Sequence, residues 1–217
     1  GINAEYGEMP FAYSFIIDNS PFARSSQISP SLLDAQKVYI RNVVVRDVAD
    51  REGATSVSYV LLNNQPSLYT PQTNDKRILL TAIDQIYFSP QMLQTKKVLE
   101  AEKLIQAINY SILSINQRHF KETTQKLIIF LTCKLQFDEK LQKALNLAKK
   151  NGIEVELFLV GKRGCQNLEE SQKFQNWKVE ANEVKIGAAG EDAPIDGYNE
   201  EDDFELQQIL ALSRDMK

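Results

Sequence analysis

Two groups of residues in this chain have types and spacings that suit chemistry or recognition. The first is Asp18-Asn19-Ser20, directly after the apolar run Phe11–Ile17. A carboxylate and a hydroxyl two residues apart on a loop suit a hard divalent cation, and the C-terminal ends of strands are where open α/β sheets place their ligands. The next position in that alternation is Phe22, a ring with no oxygen to offer. A degenerate site at Asp18 and Ser20 with no bound metal is therefore expected, with Asp18 hydrogen-bonding within its loop and at a helix terminus. The second group lies at the C-terminus. Glu200, Glu201, Asp202 and Asp203 crowd the first turn of a candidate helix, and Arg214 and Lys217 fall in its last turn, as the helix dipole favours. Leu206, Ile209, Leu210 and Ser213 recur at i, i+3, i+4 and i+7, with Leu212 on the flank of the stripe. Such a helix suits an apolar patch on a partner, with its acids steering it towards basic surroundings.

Other reactive arrangements are sparse. Cys133 and Cys165 are the two cysteines and His119 is the single histidine, too few for a disulfide framework, a zinc ribbon or a triad. His119 lies in the polar stretch Asn116-Gln-Arg-His-Phe120 and reads as a surface residue, so a hydrolase built on Cys133 or His119 has the least support. Gly161-Lys162-Arg163-Gly164 is too short for a phosphate-binding loop, and no dinucleotide fingerprint occurs. No catalysis and no cofactor are expected. Residues 191–217 hold nine acids and two bases, a net −7; the other 190 residues carry 23 bases and 20 acids, a net +3. No basic run marks a nucleic-acid surface. No apolar stretch is long enough to cross a membrane, and residues 1–10 carry no apolar signal core, so a soluble intracellular protein is expected.

Alternating strands and helices must position these groups. Phe11–Ile17 reads as a buried strand ending at Asp18-Asn19-Ser20-Pro21. Ser29-Pro30 is expected to start a helix of about four turns whose core face carries Leu32, Ala35, Tyr39 and Val43. Strands follow at Val57–Leu62 and, short, around Ser67–Tyr69, then helices over 75–86 and from Glu100, the latter burying Ala101, Leu104, Ile108, Ile112 and Ile115. Leu127–Leu131 is a buried strand, and Asp138 caps a helix that buries Leu141, Ala144, Leu145 and Ala148 and stops at Gly152. Ile153–Val160 is the next strand and Gly161–Gly164 a loop, followed by a helix over Leu168–Trp177 and an edge strand at Glu183–Ile186. Single strands alternating with amphipathic helices imply right-handed crossovers, a doubly wound α/β fold with a mainly parallel sheet and helices on both faces. It occupies residues 11–187, followed by an acidic flexible linker over 188–199 and a single C-terminal helix over 200–216.

Residues 200–215 resemble a ubiquitin-interacting motif: an acidic run, Leu206, Ile209 where that motif usually has alanine, Leu210, Leu212, then Ser213 and Asp215. Residues 11–161 resemble the von Willebrand A domain of the ubiquitin receptor in the proteasome regulatory particle. Ile17–Arg24 looks like that family's first-strand exit, Leu33-Asp34-Ala35-Gln36 its first helix, Thr70–Thr73 with Arg77-Ile78-Leu79 the segment after its second strand, and Leu141–Gly161 its penultimate helix and strand. A domains of this type begin a metal site with Asp-x-Ser-x-Ser, degenerate in that family, in keeping with Phe22. The resemblance implies a non-enzymatic adaptor of the cytoplasm and nucleus whose A domain docks on proteasome regulatory-particle subunits. Its helix would bind ubiquitin and polyubiquitin chains through Glu200, Glu201, Asp202, Asp203, Leu206, Ile209, Leu210, Leu212 and Ser213, with neither nucleic acid nor membrane as partner. The alternative is an A-domain subunit of another intracellular complex, Ku-like DNA-end binding or a transcription and repair factor.

Overall fold

The computed structural model describes residues 9–24, 31–63, 65–89 and 98–182. In chain order these form β1 (Phe11–Ile17), a 3-10 turn (Pro21–Arg24), α1 (Leu32–Asp47), β2 (Ser56–Leu61), β3 (Ser67–Thr73), α2 (Lys76–Asp84), β4 (Val98–Glu100), α3 (Ala101–Asn116), β5 (Thr124–Leu131), β6 (Lys134–Gln136), α4 (Lys140–Lys150), β7 (Ile153–Val160), α5 (Gly161–Cys165), α6 (Leu168–Ser171) and β8 (Lys178–Asn182). The linker over 188–199, the helix expected over 200–216 and the edge strand expected at Glu183–Ile186 lie outside the described residues.

Six strands make the main sheet in the order β3-β2-β1-β5-β7-β8. Every ladder is parallel except β2 with β3, which is antiparallel and irregular in register. Parallel strands need covering on both faces, and their alternating side chains divide accordingly. On one face Ala12, Ile16, Val60, Leu127, Ile129, Leu157 and Leu159 pack with Leu104, Ile108 and Ile112 of α3 and Leu141, Leu145 and Ala148 of α4. On the other, Tyr13, Phe15, Ile17, Tyr59, Ile128 and Phe158 pack with Leu33, Ile40 and Val44 of α1 and Leu79 and Ile83 of α2. The sequence pattern located these elements because uninterrupted apolar runs and 3.6-residue periodicity follow directly from this two-sided burial.

Several local expectations are corrected. Ser31, not Ser29-Pro30, caps α1: its Oγ accepts from the Asp34 N–H at 3.1 Å and donates to the Asp34 carboxylate at 2.7 Å. The buried stripe of α1 is Leu32, Leu33, Gln36, Ile40, Val43 and Val44, so Ala35 and Tyr39 lie off it. Tyr39 is 38% exposed, its ring edge-on to Phe130 and tilted against Phe158. The run Val43-Val44-Val45 stays helical because two of its members fill the core beneath the sheet. Glu139 occupies the cap position of α4, although Asp138 does accept from the Lys140 N–H at 2.8 Å. Gly161–Cys165 is a short helix rather than a loop, and the helix expected over Leu168–Trp177 is a single turn. The sequence pattern marks neither Lys178–Asn182, which pairs with β7, nor the separate two-stranded parallel ladder of β4 and β6.

Candidate functional site at the carboxyl edge of the sheet

β1 lies between β2 and β5, and the chain continues to opposite sides of the sheet from these two neighbours. The crevice beyond the carboxyl ends of β1 and β5 is thus the topological switch point, where this class of sheet accepts ligands. Asp18 leaves β1 there, fully buried, as are Asn19 and Ser20. Thr132 leaves β5 beside it. Asp18 Oδ2 accepts from the Thr132 N–H at 2.7 Å and from its hydroxyl at 2.8 Å, and Asp18 Oδ1 accepts from the Ser20 N–H at 3.0 Å. Gln36 on α1 holds the Asp18 backbone from the other side, its Oε1 accepting from the Asp18 N–H at 2.9 Å and its Nε2 donating to the Asp18 carbonyl at 3.0 Å. The polar residue inside the apolar stripe of α1 is therefore a clamp on the strand exit.

Asn19 ties in the neighbouring loops. Its Oδ1 accepts from the Asn63 N–H at 3.1 Å beyond β2, its Nδ2 donates to the Tyr87 carbonyl at 3.1 Å, and its own carbonyl accepts from the Ser89 N–H at 2.8 Å. Asn63 adopts φ 35°, a left-handed backbone that asparagine tolerates better than most residues. Further along the edge, the Arg163 guanidinium lies 4.5 Å from the Phe22 ring centre and Arg24 lies 5.0 Å from that of Phe88. The Tyr87 side chain is 79% exposed beside them.

A divalent cation does not fit this donor set. Among the described residues Asp18 is the carboxylate at this crevice, and both of its oxygens are already engaged by buried protein donors. Ser20 Oγ is buried without a hydrogen-bond partner, and Phe22, two residues on, has no oxygen to add. Among the described residues no cluster of three or more His, Cys, Asp or Glu side chains is placed to hold a metal. Magnesium and manganese each demand several oxygen ligands and at least partial charge compensation. Titration calorimetry with either ion is expected to show no saturable binding; a stoichiometric site lost in Asp18→Asn would contradict this reading.

The cysteine and histidine do not meet. Cys133 follows β5 and His119 precedes it, so the eight-residue strand, at about 3.3 Å per residue, keeps them roughly 25 Å apart. Cys133 is 1% exposed, and burial, followed by the neighbouring Asp18 charge, pushes its thiol well above the ordinary cysteine range. A thiol held protonated in this way is a packing group. Cys165 is half-buried, and His119 is exposed at the opposite end of the sheet.

The roles of Thr132, Gln36, Asn63 and Asn167 at this edge are not among those the sequence analysis assigns. The available signal was position: Thr132 and Asn63 are polar residues immediately after buried strands, and Gln36 interrupts an apolar helical stripe. Asn167 Nδ2 donates to the carbonyls of Cys133 at 2.8 Å and Gly164 at 3.0 Å, and its Oδ1 accepts from the Leu135 N–H at 2.8 Å. Nothing in the local pattern around Asn167 distinguishes it. The residues Glu200, Glu201, Asp202, Asp203, Leu206, Ile209, Leu210, Leu212 and Ser213 lie outside the described residues.

No protein-family model and no curated protein sequence matches the chain. Solved structures do resemble it. The SpRpn10 VWA domain superposes with a TM-score of 0.56 at 15% identity, covering 82% of this chain and 91% of that one. Proximal thread matrix protein 1 from the mussel byssus gives a TM-score of 0.60 at 12% identity over 79% of this chain and 44% of that one. The conserved hypothetical protein BatB from Bacteroides thetaiotaomicron gives 0.51 at 15% identity over 95% of this chain and 99% of that one. At such identities the likeness establishes the fold: a von Willebrand A-like α/β domain with a central, mostly parallel sheet flanked by helices.

Proposed function

We propose that this protein is a non-enzymatic ubiquitin receptor of the proteasome regulatory particle, working in the cytoplasm and nucleus. Its A-like domain docks on particle subunits, and residues 200–216 bind ubiquitin. The observation that carries the proposal is the order of parts: a von Willebrand A-like fold followed by an acidic run and the stripe Leu206, Ile209, Leu210 and Ser213. The likeness to the SpRpn10 VWA domain over most of both chains supports the first half of that order. The engagement of both Asp18 carboxylate oxygens by protein donors agrees with a domain that presents a surface rather than a metal-borne ligand site.

A single helix face buries little area, below the roughly 1,200 Å² at which specific interfaces become common, so binding to one ubiquitin is weak. Leu210→Asp puts a charge in the centre of the apolar contact. It is expected to cost about 2–3 kcal/mol, which weakens binding by roughly 30- to 150-fold and leaves the folded domain unchanged. Neutralising Glu200, Glu201, Asp202 and Asp203 is expected to slow association and flatten its salt dependence instead, since rim charges mainly steer encounter. The test is an NMR titration of labelled ubiquitin with the wild-type protein and Leu210→Asp. Equal shifts from both proteins, or none from the wild type, would remove the ubiquitin-receptor reading. Capture of regulatory-particle subunits by the same Leu210→Asp protein tests the docking half separately.

A further inference from the structure

The lysines of α4 have no carboxylate partner among the described residues. Its eleven residues contain Lys140, Lys143, Lys149 and Lys150 and no acid, and all four lysines are exposed. None is ion-paired among the described residues, whereas Lys76, Lys126, Lys173 and Lys178 each have a carboxylate partner. Lys140, Lys143, Leu147 and Lys150 stand at i, i+3, i+7 and i+10, within one face of the helix. Leu147 is 44% exposed between them. Four like charges on three turns repel one another, and an exposed leucine in their midst contributes nothing to the core.

We infer that this lysine face holds the acidic segment 191–205 of the same chain. That segment carries Glu191, Asp192, Asp196, Glu200, Glu201, Asp202, Asp203 and Glu205 with no base, and Phe204 sits within its densest acidic run. Charge complementarity selects it: it is the densest concentration of acid in the sequence, and α4 is the helix with the most cations and no acid. Reach allows the contact. β8 ends at Asn182 opposite Val160, at the carboxyl edge of the sheet, which is the edge where α4 begins. Gln142 and Asn146 of α4 are already hydrogen-bonded to Gln175 and Asn176, so the chain entering β8 passes against this helix. The eight residues 183–190 span at most about 28 Å, against about 16 Å for the length of α4. Each exposed ion pair is individually weak; tethering at a millimolar effective concentration and the number of charges make the contact populated.

Carbodiimide cross-linking, which joins lysine amines to carboxylates in contact, tests this on the full chain at low ionic strength, followed by peptide mass spectrometry. The expected result is cross-links from Lys140, Lys143 and Lys150 to acids within 191–205, in the monomer band and independent of protein concentration. They should fall severalfold in 1 M salt, where the screening length contracts from about 10 Å at 0.1 M to about 3 Å. Lys143→Glu with Lys150→Glu should deplete the remaining cross-links at Lys140, with circular dichroism showing the domain intact. Exchanging Glu200, Glu201, Asp202 and Asp203 for their amides should deplete them without touching the domain at all. Cross-links formed to the same degree by exposed lysines elsewhere, such as Lys121, would overturn the inference. So would cross-links found only in a dimer band, which would place a second copy on α4, or no cross-links from α4 at all. The measurement uses the protein without ubiquitin, so its outcome is independent of the receptor reading.

Discussion

Asp18→Ala is expected to destabilise the domain by about 4 kcal/mol and to lower its melting temperature by roughly 10 °C. Asp18 is fully buried and accepts three hydrogen bonds, from the Ser20 N–H and from the N–H and hydroxyl of Thr132. Removing the carboxylate leaves two buried backbone donors with no acceptor, each costing about 1–3 kcal/mol, while the threonine hydroxyl can rotate to another partner. Asp18→Asn is not a rescue: one amide oxygen remains, and the NH2 group then faces either the Thr132 or the Ser20 N–H, donor against donor. Thr132→Val removes only the hydroxyl and is expected to cost about 1 kcal/mol. Thermal and denaturant unfolding of the three variants gives the ranking. An Asp18→Ala protein as stable as wild type would mean that this carboxylate does not hold the exits of β1 and β5 together.

Gly164→Ala is expected to cost about 3 kcal/mol for a different reason. A Cβ added at Gly164 would lie 2.3 Å from the Leu131 carbonyl oxygen, 3.3 Å from its carbonyl carbon and 3.4 Å from Thr132 Cα. All three are backbone atoms at the end of β5, so no side-chain rotation relieves the overlap, and α5 must move away from the sheet. That movement also strains the bonds that Asn167 makes to the Cys133 carbonyl and the Leu135 N–H. Because the displaced backbone includes Thr132, Gly164→Ala and Asp18→Ala share a partner. Their combined cost in urea unfolding is expected to fall short of the sum by about 0.5 kcal/mol or more. Strict additivity would show that α5 and the β1 exit are independent.

The two glycine-containing positions of the β7–α5 region show why part of this site escaped the sequence. Gly161 and Gly164 read as loop residues because glycine weakens helices. The structure uses Gly161 at φ 76° to leave the strand and Gly164 to let a short helix touch the β5 backbone. Gln36 escaped for the complementary reason. A periodicity argument follows apolar residues and passes over a glutamine, yet this one occupies a core position since its amide satisfies both backbone groups of Asp18. β4 and β6 have three residues each, too short to display a period of two, and their pairing across a separation of more than thirty residues leaves no local trace.

Local pattern was enough to read the α/β class, the four long buried strands and the amphipathic faces of α3 and α4. Each is written in local composition and period, because a strand covered on both faces must be apolar throughout and a helix covered on one face must repeat every 3.6 residues. Assembly of the sheet is what sets β1 between β2 and β5, brings Asp18 to Thr132 across 114 positions of sequence, and engages the carboxylate oxygen with protein donors. Strand order is chosen by how whole layers pack, and any of several orders would satisfy the same local patterns, so neighbours this distant in sequence exist only once the sheet has assembled.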